Sequence, residues 1–164
     1  MSEQYEYFVK AAPPYTEDRP SSLWRRVGDD WEYLSLFDWT WHSVQETVSK
    51  RVPQAQVLFP VTVERAAQLE SDRQVLVRYW ALYVDEQDFR EGESPTTVVR
   101  RRRSPERGLD ESYRGSKGFW GPTQAIEESR DLRTSNPPYL VELTADDAEA
   151  LLQELFGVTG VTEL

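Results

Sequence analysis

A chain of 164 residues is long enough to bury a hydrophobic core, either as one medium domain or as two small subdomains. With a formal net charge of -10 and a pI near 4.7, it would repel a phosphate backbone, which makes nucleic acid an unlikely ligand and favours a basic protein partner. The lack of any cysteine excludes disulfides, thiolate metal sites and a cysteine nucleophile.

Met1-Ser2-Glu3-Gln4-Tyr5-Glu6 has neither the basic start nor the apolar stretch of a signal peptide, and no later apolar run approaches membrane-spanning length. These features predict a soluble, cytoplasmic protein without membrane association.

In chain order, Tyr7 to Lys10 reads as a first strand, and Ala11 to Ser22 as a polar, proline-bearing loop. The runs Ser22 to Val27 and Trp31 to Leu36 flank Gly28-Asp29-Asp30, the polar punctuation of a hairpin. A helix is expected over Ser43 to Arg51. Gln56 to Val61 then forms a strand that leads directly into a helix capped by Thr62, whose apolar stripe is Val63, Ala66, Ala67 and Leu69.

The second half follows the same plan. Tyr79 to Leu82 opens it as a strand, and Asp85 to Pro95 reads as a long loop. Val98 to Arg102 pairs with Leu109 to Tyr113 across the polar loop Ser104 to Gly108. Pro122 suits the first turn of a helix over Pro122 to Leu132. The strand Tyr139 to Leu143 then enters the clearest helix, with Thr144 as cap, Asp146, Asp147 and Glu149 near the positive end of its dipole, and Gly157 as terminator.

The halves align in order. Tyr7-Phe8-Val9-Lys10 matches Tyr79-Trp80-Ala81-Leu82, Leu23-Trp24-Arg25-Arg26 matches Val98-Val99-Arg100-Arg101, and Val61-Thr62 matches Leu143-Thr144, at offsets of 72, 75 and 82 residues. Offsets that grow in one direction are those of loop insertions in a second copy. The expected fold is therefore α+β, in two degenerate repeats over 1–76 and 77–164, each a small, mainly antiparallel sheet with one packed helix.

Chemistry leaves little trace in the sequence. His42 is the only histidine, so neither a histidine-rich metal site nor a Cys-His dyad can form within one chain. No Gly-x-Ser-x-Gly elbow, phosphate-cradling glycine loop or EF-hand spacing occurs, and neither a cofactor nor a metal is expected. Trp39, Trp41, His42 and Trp120 could line an aromatic small-molecule site between the repeats, although large aromatics also build cores. In the run Arg100 to Arg103, strand alternation sends Arg100 and Arg102 to one face and Arg101 and Arg103 to the other. This reads either as a phosphate contact or as a solvated strand end or hairpin tip paired with Glu91, Glu93, Glu106, Asp110 and Glu111.

Three functions fit these features. The first is a non-enzymatic, immunity-like protein whose acidic surface engages a basic macromolecule such as a toxin or nuclease. The second is a binder of a small molecule between the repeats. The third is an enzyme with a carboxylate or arginine site that sequence does not single out.

Overall fold

A computed structural model describes residues 4–44 and 52–164. It is an α+β structure with two five-stranded antiparallel sheets and four α-helices. The chain divides into two compact units, residues 1–77 with 102–108, and residues 78–101 with 109–164.

The first sheet contains β1 (Glu6–Lys10), β2 (Ser22–Val27), β3 (Asp30–Leu34), β4 (Trp41–Ser43) and β5 (Leu58–Val61), in the order β4-β3-β2-β1-β5. The β2–β3 hairpin turns at Gly28, whose φ of 59° is open to glycine without steric cost. Alternation decides the faces. Val9, Leu23 and Leu34 point into a core with Leu36, Leu76 and the α1 residues Ala66 and Leu69 (α1, Val63–Ser71). Leu69 is fully buried, which contributes roughly 1.5–3 kcal/mol. Thr62 caps α1 by accepting the Arg65 N–H at 3.1 Å. The helix expected over Ser43 to Arg51 starts on a residue that ends β4, and its remainder from 45 to 51 lies outside the described residues.

The second sheet contains β6 (Val77–Tyr83), β7 (Thr97–Ser104), β8 (Arg107–Arg114), β9 (Phe119–Pro122) and β10 (Tyr139–Leu143), in the order β10-β6-β7-β8-β9. Counted from its own first strand, each sheet therefore has the order 4-3-2-1-5. The matched segments occupy equivalent strands, and both Val61-Thr62 and Leu143-Thr144 join the fifth strand to a helix. In α4 (Ala145–Phe156), Thr144 accepts the Asp147 N–H at 3.1 Å and Gly157 closes the helix at φ 68°. Ala125 and Ile126 of α3 (Ala125–Arg130) pack with Trp80 and Val99.

Three local expectations are corrected. The loop Asp85 to Pro95 contains α2 (Glu86–Arg90), nucleated by Asp85, which accepts the Asp88 N–H at 2.8 Å. β7 and β8 extend to Ser104 and Arg107, which shortens the expected five-residue loop to Pro105-Glu106. Pro122 ends β9 instead of opening a helix, and α3 begins at Ala125.

One four-residue row recurs in both sheets. In the first, Tyr7 lies opposite Arg25, and Arg25 opposite Glu32, which it contacts at 2.6 Å. The Arg25 guanidinium sits 4.1 Å from the Trp41 ring centroid, and the Tyr7 and Trp41 rings meet at 6.1 Å and 62°. In the second sheet Arg100 reaches Glu111 at 3.0 Å and lies 4.1 Å from the Trp120 centroid, while Tyr79 meets Trp120 at 6.3 Å and 59°. Glu32 faces Ser43 and Glu111 faces Pro122, with the tryptophan two residues earlier on the fourth strand each time.

Candidate functional site

The residues singled out in the sequence all have partners within their own unit. Trp39, in the turn between β3 and β4, has φ 59°, an unusual conformation for a bulky side chain. Its N–H donates to Ser35 O at 3.0 Å, and the Arg73 guanidinium lies 4.9 Å from its ring. Trp41 carries Arg25 on its face and donates Nε1–H to Glu70 at 2.6 Å. His42 stacks on Tyr33 at 5.6 Å and 10°, with Nε2 2.7 Å from Asp38. Burial pushes the Asp38 carboxyl upward, but hydrogen bonds from the Thr40 side chain and backbone and from His42 outweigh it and hold the carboxyl below its ordinary value.

Trp120 packs against Tyr113 and Tyr79 under Arg100, and its Nε1–H donates to Val161 O at 2.8 Å. Arg100 and Arg102 follow each other on one face of β7 but have different surroundings: Arg100 joins Glu111 and Trp120, whereas Arg102 donates to Leu36 O at 3.2 Å and lies 5.2 Å from the Phe37 ring.

The reading of the arginine run as a solvated strand end or hairpin tip is corrected for Arg100 and Arg101, whereas Arg103 is exposed beside the turn and the expected pairing with Asp110 and Glu111 is present. Arg100 and Arg101 are 7% and 4% exposed, because cross-strand carboxylates neutralise them where they enter the fold. Arg101 contacts Asp110 at 2.7 Å and Glu127 at 2.7 Å. Burial alone would lower its pKa, and these two carboxylates raise it instead.

The arrangement best suited to recognition lies at β10, an edge strand of the second sheet. Phe89 on α2 stacks on Tyr139 of β10 at 5.0 Å and meets Tyr83 of β6 edge-on at 5.1 Å. Phe89 is 38% exposed and Val84, between β6 and α2, is 56% exposed, so apolar surface of this segment remains in water. Glu86 in α2 and Glu91 and Glu93 just after it are exposed, with Asp85 and Asp88 half-buried. Arg90 offsets part of this charge through a 2.7 Å contact with Glu86.

The geometry is anchored. Asp85 accepts the Asp88 N–H and, at 3.1 Å, the Asn136 amide, tying α2 to the segment that enters β10. The Asp88 backbone bond first, and then Asn136, hold the Asp85 carboxyl below its ordinary range. An aromatic side chain fixed on a short helix, with exposed carboxylates before and after it in the chain, is suited to act as an anchor beside a charged surface. The sequence offered one sign of this site: Phe89 is the single aromatic in the otherwise polar stretch from Asp85 to Ser94.

Among the described residues, no cluster of three or more metal-ligating side chains occurs, and no helix is long and apolar enough to cross a membrane. Comparison of the chain with protein-family models, curated proteins and solved structures finds no match.

Proposed function

We propose that this protein is a non-enzymatic binding protein whose second unit engages a basic protein through the acid-rimmed aromatic surface at Phe89, in the manner of an immunity-like protein that neutralises a basic toxin or nuclease. The observation that carries the reading is the coincidence of exposed Phe89 and Val84 with Glu86, Glu91 and Glu93. Aromatic burial would supply affinity, while the carboxylates would speed association and select a basic partner. The net charge of -10 favours the same class of partner at longer range.

The test is affinity capture from the source organism's lysate with the wild-type chain, Phe89→Ala, and a combined E86Q/E91Q/E93Q variant, each at low and high salt. A basic protein held by the wild type should be lost from Phe89→Ala, a change of about 30-fold in affinity if Phe89 contributes the ~2 kcal/mol of a binding hot spot. The charge variant and high salt should both weaken capture. Undiminished capture by Phe89→Ala would defeat the assignment.

We also infer that the two units are degenerate copies of one duplicated unit. Support comes from the shared strand order, the repeated Tyr–Arg–Glu–Trp row and the threonine cap after each fifth strand. A solved homologous chain whose two units differ in strand order would contradict this inference.

A further inference from the structure

β5 and β10 hold the same place in their sheets, each the outer neighbour of its sheet's first strand, but their sequences treat that edge differently. The Val57 carbonyl accepts the Ala11 N–H at 2.8 Å and so faces the β1 side. Alternation along the strand then turns the backbone of Pro60 away from β1, where a proline costs the ladder no hydrogen bond and withholds a donor from any further strand. In the second sheet the Leu82 carbonyl accepts the Thr96 N–H at 2.7 Å, on the β7 side. Leu82 lies opposite Leu140, and Trp80 opposite Glu142. Opposite residues of an antiparallel pair either both point toward each other or both point away. The backbone N–H and C=O groups of Leu140 and Glu142 therefore point away from β6, along the outer edge of β10.

Because Val61-Thr62 matches Leu143-Thr144, Glu142 stands where the first unit has Pro60, and β10 lacks the proline that blunts β5. Its two faces select the strand that fits. Tyr139, Val141 and Leu143 are half-buried on one face, while Leu140 and the exposed Glu142 lie on the other. The Glu142 side chain meets Arg78 at 2.7 Å and is still 40% exposed. Opposite residues on neighbouring strands share a face, so the complementary strand carries apolar side chains against Val141 and cations beside Glu142. A second copy of β10 fits poorly. Pairing it with itself about Val141 sets Glu142 against Leu140 and brings together two chains that each carry a net charge of -10.

We propose that β10 accepts an extended segment of a basic protein, with alternating apolar and basic side chains, as a sixth strand of the second sheet. The inference rests on the reading of this face as the docking surface, since Phe89 stacks on Tyr139, the first residue of β10. Main-chain hydrogen bonds along the edge give the partner a second source of affinity beside the aromatic contact.

The test is a two-dimensional NMR titration of the full chain with a capped peptide of about nine residues alternating valine and lysine, and with one alternating valine and glutamate. The lysine peptide should bind saturably with a Kd of about 1 mM or tighter. It should slow amide exchange at Leu140 and Glu142 more than at Tyr139, Val141 and Leu143, whose N–H groups already face β6. Glu142→Pro repeats the first unit's own edge residue and should weaken binding at least about tenfold. Glu142→Ala removes the carboxylate alone and should weaken it about threefold, with the β6 and β7 resonances of both variants unchanged to certify the fold. Silence of β10 toward the lysine peptide, equal binding of the glutamate peptide, or Glu142→Pro binding as tightly as Glu142→Ala would overturn the proposal. Dimerisation of the wild type that Glu142→Pro abolishes would also overturn it, by placing a second copy on the edge. In the capture assay, loss of the partner by Glu142→Pro and not by Phe89→Ala would sustain the edge and defeat the Phe89 assignment, and loss by Phe89→Ala alone would do the reverse.

Discussion

At the scale of single residues, the equivalent pairs Arg25–Glu32 and Arg100–Glu111 share chemistry and differ in burial. The side chains of Arg25 and Glu32 are 18% and 27% exposed, against 8% and 12% for Arg100 and Glu111. Arg100 Nη1 is also buried without an acceptor among the described residues, so its charge depends heavily on Glu111 and on the Trp120 face. Removing one partner of a buried pair leaves an uncompensated charge. Glu111→Ala should therefore lower stability by about 3–5 kcal/mol, and Glu32→Ala by about 1 kcal/mol. Urea unfolding at neutral pH measures both, and equal losses would contradict the burial argument. The sequence displayed the arginine run and named Asp110 and Glu111 among its partners, but it concealed the burial. That depends on the turn at Pro105-Glu106, which lets the strands run far enough to set carboxylates beside Arg100 and Arg101.

At the scale of elements, long strands and the two capped helices were legible because alternation, threonine caps and a terminating glycine each leave a local signature. α2 was not. Its five residues form little more than one turn and carry no apolar stripe, so its existence rests on the Asp85 cap and on Phe89 packing between two tyrosines. The cap has a pH signature. Because the folded-state pKa of Asp85 is depressed below 3.8, its stabilising contribution is present above the unfolded value and is lost as pH falls through the folded one. Amide resonances of Glu86–Arg90 should therefore hold their folded positions down to the ordinary carboxylate range and lose them only below it. Asp85→Ala should loosen the same amides at neutral pH. An α2 unchanged in that variant would show that aromatic packing alone holds the helix.

For the molecule as a whole, composition favours a basic partner, and the proposed docking surface depends on the fold. The acidity was visible at once, but it is spread along the chain. Only the path of β6, α2 and β10 gathers Tyr83, Phe89 and Tyr139 beside the exposed carboxylates of the α2 segment. No periodicity joins residues 83, 89 and 139, so the site could not be read before the fold.

The most direct measurement is amide hydrogen exchange of the full chain, alone and with the basic protein recovered by capture. Docking at Phe89 predicts slowed exchange concentrated in residues 83–93 and 136–143, weakening as salt is raised. Protection confined to the first unit's residues 4–44, or the recovery of no basic protein at all, would contradict the account.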